Sequence, residues 1–125
     1  MTVMTDPIEI SHRTGCPIAT TLDLVGDKWS LLIVRDMLTG KRRYGEFLES
    51  PEGITTNILA DRLKRMAAAG LIVRTPYQQR PTRHEYELTD QGRALHPVLQ
   101  EMCLWANRYF GDTWVPPASF MDRSA

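Results

Sequence analysis

The stretch GITTNILADRLKRMAAAGLIVRT, residues 53–75, decides the fold, because it predicts one helix, about 55–69, that runs directly into a strand. Apolar residues recur at helical spacing along one side: Ile54, Ile58, Leu59, Leu63 and Met66. The other side carries short polar groups in the first turn and cations farther along: Thr55, Thr56, Asn57, Arg62, Lys64 and Arg65. Thr55 or Thr56 can cap the start of this helix, and Gly70 is typical of a helix end.

Three helices are predicted before this stretch. Pro17 opens the first and Gly26 ends it. Asp27 can cap the second, KWSLLIVRDMLTG, which is apolar on nearly every side and is therefore expected to be central and buried. Residues 43–50 form a short amphipathic helix, and a turn at 50–53 joins it to the helix at 55–69.

Two strands and a long helix are predicted after it. LIVRT (71–75) and HEYELT (84–89) have strand character, and the polar segment between them, 76–83, is expected to be a loop too long for a tight hairpin turn. Thr89 can cap a last helix at about 90–110, which Pro97 bends. The predicted fold class is mainly α with a small two-stranded β wing (α+β), a winged helix-turn-helix.

In such a fold the second helix of the helix-turn-helix enters the major groove of DNA, with its N-terminal residues nearest the bases. Asn57 can pair with adenine, and Thr55 or Thr56 can meet a phosphate or a thymine methyl group. Cations on the helix and in the basic wing, 76–84, can neutralise phosphates. The predicted DNA-binding residues are Arg43, Thr55, Thr56, Asn57, Arg62, Lys64, Arg80, Thr82 and Arg83. The alternative from the pattern alone is a capped surface helix beside a solvated loop.

Charge distribution supports nucleic acid as a partner, although the net charge of the 125 residues is zero. Residues 41–84 hold nine Lys or Arg against four Asp or Glu, a net charge of +5, which leaves −5 for the rest. The composition is that of one soluble globular domain, with no secretory signal, no apolar run of membrane-spanning length and only two cysteines. We therefore expect a cytoplasmic protein without a membrane partner.

Four segments in order resemble the signatures of HxlR-type winged-helix transcriptional regulators of bacteria: CPIATTLDLVGDKWSLLIVRDML, RYGEF, GITTNILADRLKRMAAAGLI and RPTRHEYELTDQGRAL. The resemblance covers residues 16–110, which leaves 1–15 as an extended arm and 111–125 as a tail. It implies a DNA-binding homodimer whose first and last helices form the dimer contact, and whose wing tip is QQRPTR. An apolar stripe on the last helix agrees with a dimer interface, which we predict to contain Ile18, Leu22, Leu99, Met102, Trp105 and Tyr109. Two-fold symmetry then requires an inverted-repeat operator, and repression is the expected action.

The signal is less defined by the sequence. Cys16 precedes Pro17 at the predicted start of the first helix, where the helix dipole increases thiol reactivity. The resembling family includes regulators that sense oxidants or electrophiles with a cysteine at this position, so Cys16 is either a redox sensor or a buried structural thiol, while Cys103 is expected in the core or the interface. A non-covalent small-molecule effector, or a winged-helix module that binds protein or RNA, remain alternatives. No catalytic constellation or cofactor motif is present, and no pair of metal ligands is closely spaced beyond His12 and Cys16. We therefore predict neither an enzyme nor a cofactor or metal site.

Overall fold

The computed structural model describes residues 13–123, and it is mainly helical with one two-stranded antiparallel sheet, as predicted. The elements in chain order are α1 (Pro17–Val25), α2 (Ser30–Leu38), α3 (Tyr44–Phe47), α4 (Thr56–Ala68), β1 (Ile72–Gln79), β2 (Thr82–Leu88), α5 (Asp90–Arg93), α6 (His96–Tyr109) and α7 (Ala118–Met121). The predicted arm at 1–15 lies outside the described residues except for its last three.

The helix starts follow the capping residues that the sequence contains. One carboxylate oxygen of Asp27 accepts the backbone N–H groups of Trp29, the N-cap residue of α2, and of Ser30, its first residue, at 3.0 and 3.1 Å. Thr55 caps α4 and Thr89 caps α5 through their hydroxyl oxygens. Gly70, with φ of +83°, ends the segment of α4 in a conformation that favours glycine.

The hydrophobic core lies between α2, the helix-turn-helix and the base of the wing. Its most deeply buried members are Val34, Phe47 and Leu59. The apolar side of α4 that the sequence predicts does face this core, with Leu59, Leu63 and Met66 all buried. Burial of that side leaves the opposite side of α4 as the one available to a partner.

The predicted loop at 76–83 is wrong, because both strands continue through it and only Arg80 and Pro81, joined by a cis peptide bond, connect them. Pro76 is tolerated because each strand of a two-stranded sheet is an edge strand, and the register shifts at a bulge between Pro76 and Gln78. The wing is therefore a paired ribbon almost to its tip.

The predicted single helix at 90–110 is also wrong in its extent, because α5 and α6 are separate. Pro97 has no N–H group to donate to the carbonyl of Arg93, so the helix is interrupted and restarts after Leu95. In the tail, the side chains of His96 and Gln100 donate to the carbonyl oxygen of Phe120, at 2.8 and 3.0 Å, and hold α7 against α6. Across residues 13–123, no helix is long and apolar enough to cross a membrane.

Candidate nucleic-acid interface

The exposed side of α4 carries the residues predicted to contact bases and phosphates. Thr55, Thr56, Asn57 and Lys64 are all exposed. At about 100° per residue, Lys64 follows Asn57 by almost two full turns, so both lie on the same side of α4, opposite the buried residues. This side combines a hydrogen-bonding amide near the helix start with a cation almost two turns farther along.

The start of α4 is held firmly by its neighbours. The hydroxyl of Thr55 accepts the backbone N–H of Ile58 at 3.4 Å. The hydroxyl of Tyr44, on α3, donates to the backbone carbonyl of Thr56 at 2.6 Å. This role of Tyr44 is not predictable from the sequence, since its partner is a backbone atom that no side-chain pattern marks. The first contact caps α4, and the second connects its first turn to α3.

Arg62 does not lie with Asn57 and Lys64, contrary to its predicted position on the same flank. It lies about 140° around the helix from Asn57, on the side towards α2. Its Nε atom donates to the Asp27 carboxylate at 2.8 Å and its Nη1 atom donates to Asp61 at 2.5 Å. Only 20% of the Arg62 side chain is exposed. Its guanidinium binds two carboxylates of the protein, where we predicted that it would bind a DNA phosphate.

A polar cluster fixes the turn between α3 and α4. Arg35 binds Glu52 through two parallel hydrogen bonds of 2.8 Å, which raise the pKa of Arg35 and lower that of Glu52. Arg35 also donates to the buried carboxylate of Asp36, which accepts the hydroxyl of Ser50. The cluster joins α2 to both ends of the turn, so it sets the angle of the helix-turn-helix.

The base of the wing is held to the segment before α3 by ion pairs. Arg42 binds Glu87, and Arg43 binds Glu85 at 3.1 Å. The guanidinium of Arg43 also stacks 3.8 Å from the ring of Tyr77, the extra residue at the bulge. Arg43, a predicted DNA contact, is half exposed and therefore retains a free side towards solvent.

The tip of the wing carries the remaining predicted contacts. Arg80, Thr82 and Arg83 are exposed, and the hydroxyl of Thr82 donates to the carbonyl of Gln79 at 3.1 Å, which stiffens the turn. The structure thus gives the domain two separate basic projections, α4 and the wing tip.

Exposed apolar side chains cover α1 and one side of α6. Ile18 and Leu22 on α1 are 71% and 56% exposed, and Trp105 and Tyr109 on α6 are 60% and 62% exposed. Leu99 is wrong as an interface residue, because it is buried in the protomer's own core at 8% exposure. Its neighbour Val98 is exposed instead, and Val98, Met102, Trp105 and Tyr109 fall within about 60° of the α6 circumference. Such a stripe is more apolar surface than a monomer usually exposes.

The two cysteines differ in their surroundings. Cys16 occupies the predicted N-cap position of α1, and its exposure contradicts the alternative of a buried structural thiol. Cys103 is partly covered on α6. Burial raises the pKa of the Cys103 thiol. Among residues 13–123, no group of three or more His, Cys, Asp or Glu side chains is placed to hold a metal ion.

A small recess beside the helix-turn-helix turn encloses about 10 Å³ and is lined by Trp29, Leu32, Ile33, Asp36, Phe47, Ser50, Glu52 and Ile54. A volume of this size holds about one water molecule. It does not accommodate an organic effector.

Comparison with known proteins agrees with this geometry. A family model for the HxlR-like helix-turn-helix matches residues 24–113. The chain belongs to the HxlR-like helix-turn-helix family. The HTH-type transcriptional regulator YdeP of Bacillus subtilis is 39% identical over 95 residues, which are 76% of this chain and 74% of YdeP. The proteins of this family that the chain matches are DNA-binding transcriptional regulators, so the chain is a transcriptional regulator and not an enzyme.

Solved structures of related regulators show the same fold. The transcription factor PA1607 has a TM-score of 0.75 and 40% identity, over 90% of this chain and 78% of PA1607. The oxidised form of the redox regulator HypR has a TM-score of 0.67 and 36% identity, over 74% of this chain and 96% of HypR. The winged helix-turn-helix assignment of this HxlR-like chain therefore stands on sequence and structure together.

Proposed function

We propose that this HxlR-like regulator is a homodimeric repressor that recognises an inverted-repeat operator, with α4 in the major groove and the wing tip on the flanking backbone. The observation that carries the proposal is the side of α4 opposite the core, where Asn57 and Lys64 are exposed and aligned. Asn57 supplies a bidentate amide for an adenine edge. Lys64, Arg80 and Arg83 supply the phosphate contacts. Arg43, which pairs with Glu85 in the protomer, and Thr82 are additional DNA contacts that neutralise no further phosphate.

The dimer is part of this proposal because one protomer presents one α4. The exposed stripe of α6 and the exposed residues of α1 can pack against the same surfaces of a second copy, and such a two-fold contact is self-complementary. Two recognition helices related by a two-fold axis then match two inverted half-sites, about one turn of DNA apart or a multiple of it. Occupation of a promoter by this dimer excludes polymerase, which gives repression.

The test begins with duplexes selected from a random pool by the wild-type protein. Asn57→Ala is expected to weaken binding to the selected duplex by about 1–3 kcal/mol and to leave binding to random duplex unchanged. Arg83→Ala, the matched control on the wing, is expected to weaken both duplexes alike and to reduce the salt slope by about 1. Equal losses on both duplexes for Asn57→Ala would remove it from the base contacts.

A second candidate function, control by thiol chemistry, is favoured by the exposure of Cys16 at the start of α1, next to the proposed dimer face. HypR, at 36% identity, is named a redox regulator. We propose that oxidation or electrophile addition at Cys16 changes the dimer and releases DNA. This would be supported if hypochlorite or quinone treatment abolished operator binding by the wild type, while Cys16→Ser still bound after the same treatment. Binding that is indifferent to treatment would exclude it.

A further inference from the structure

An ion pair connects the middle of α4 to a distant part of the chain. Arg62 lies on α4, and Asp27 lies 35 residues earlier in the loop between α1 and α2. The Nε–Oδ2 distance is 2.8 Å, and the two side chains are 20% and 26% exposed. Partial burial shields the pair from solvent, so it is stronger than a fully exposed ion pair.

The Asp27 oxygen that accepts Arg62 also organises the start of α2. The same Oδ2 atom accepts the backbone N–H groups of Trp29 and Ser30. Arg62 therefore contacts a carboxylate that α2 already holds in place, and the contact fixes α4 relative to the central helix. Asp27 directly follows Gly26, the C-cap residue of α1, so the carboxylate that connects α4 to the start of α2 lies in the short loop after α1.

We infer that Asp27 and Arg62 are positioning residues, which set the angle of α4 on the DNA and so determine operator specificity without touching DNA themselves. The inference rests on the proposed function of α4. The role of Arg62 differs from that of the phosphate-binding cations in its expected effect on affinity, because a cation that binds phosphate increases affinity for every duplex. A cation that positions a helix affects only the contacts whose geometry depends on the helix angle.

Two further features support this assignment. Arg62 lies about 140° from Asn57 around α4, away from the side that carries the proposed base contact. Burial alone would raise the pKa of Asp27, but hydrogen bonds from the Ser30 hydroxyl, from Arg62 and from two backbone N–H groups outweigh it and lower the pKa to about 2. The carboxylate is thus kept charged for Arg62 at any physiological pH.

The test compares Asp27→Asn, Arg62→Gln and the control Asp61→Asn. Asparagine at 27 can still cap α2 but loses the charge. Asp61→Asn removes the other carboxylate on Arg62, one that belongs to α4 itself and connects it to no other element. Dissociation constants are measured for the selected duplex and for random duplex over a salt series, at a temperature where circular dichroism shows every variant folded.

Positioning predicts that Asp27→Asn and Arg62→Gln each weaken the selected duplex about tenfold, the scale of one lost base contact, with unchanged affinity and salt slope on random duplex. The double variant should lose no more than either single one, because both changes break one contact. Asp61→Asn should keep the preference for the selected duplex.

A direct phosphate role for Arg62 predicts the reverse. Arg62→Gln would then weaken binding to all duplexes alike and reduce the salt slope by about 1. That result would overturn the inference. If both Asp27→Asn and Arg62→Gln prefer the selected duplex over random duplex as strongly as the wild type does, the positioning role is wrong but the proposed function is unaffected. If the wild-type protein itself shows no preference for the selected duplex, the proposed function is wrong as well.

Discussion

Trp105 offers the sharpest test of the proposed dimer, through Trp105→Ala. A tryptophan buries about 150–250 Å² when fully covered, and 60% of Trp105 is exposed in the protomer. A dimer interface can therefore cover roughly another 120 Å² of it, worth about 3 kcal/mol at ~25 cal/mol/Å². Two-fold symmetry places this side chain in the interface twice. Trp105→Ala should then cost about 4–6 kcal/mol per dimer, or three to four powers of ten in dissociation constant.

Leu104→Ala is the matched control. Leu104 is adjacent on α6 and 50% exposed, but it lies about 130° from the centre of the stripe formed by Val98, Met102, Trp105 and Tyr109. Sedimentation equilibrium of the two variants and the wild type measures the monomer–dimer constant directly. An unchanged constant in Trp105→Ala, or an equal loss in Leu104→Ala, would refute the assignment of this stripe as the interface.

Three other outcomes follow from local geometry. A Cβ on Gly92 would lie 2.2 Å from the Leu71 carbonyl oxygen, whereas a Cβ on Gly45 meets nothing within 4 Å. Urea unfolding should therefore show Gly92→Ala destabilised by about 1–3 kcal/mol and Gly45→Ala within about 1 kcal/mol of wild type. Equal losses of stability in the two variants would contradict the close approach at Gly92. The pKa of Asp27 is about 2 in the folded protein, below the value of about 3.9 in the unfolded chain, so the ionised carboxylate stabilises the fold fully above about pH 5 and loses this effect as pH falls towards 2. The difference in unfolding free energy between wild type and Asp27→Asn should shrink over that window. A constant difference would argue against the ionised pair. Iodoacetamide in limiting amount should label Cys16 before Cys103, since Cys16 is exposed and burial raises the pKa of Cys103. If mass spectrometry finds Cys103 labelled first, Cys16 is covered in the dimer.

Local signals in the sequence predict much of this fold. Capping by Thr55 and Thr89 and the glycine at 70 depend on neighbours within a few residues, and the structure has them where the sequence indicates. Asp27 does accept the N–H groups of Trp29 and Ser30, but α2 begins later than predicted, with Trp29 as its N-cap residue. The apolar side of α4 is also correct, because helical periodicity identifies a buried side directly.

Features that depend on distant partners were not predictable in this way. Arg62 has the same local pattern as Lys64, and only the approach of Asp27, far away in sequence, separates their roles. On α6, Leu99 faces the core and Val98 is exposed, and periodicity alone does not distinguish between these two neighbours. The wing was judged too short because Pro76 suggests a loop, although a bulge accommodates it in the ladder.

The salt dependence of binding to DNA tests the central claim most directly. Three exposed cations per protomer are proposed to contact phosphates, Lys64, Arg80 and Arg83, so a dimer neutralises about six phosphates and log K should fall with log salt at a slope of about −5. Anisotropy titrations of wild-type protein on selected and random duplexes, from 50 to 200 mM salt, measure this slope. A slope near −5 on both, with tighter binding to the selected duplex, is the predicted result. A slope near zero, or no binding to any duplex, would contradict the account and point to a protein partner for this surface.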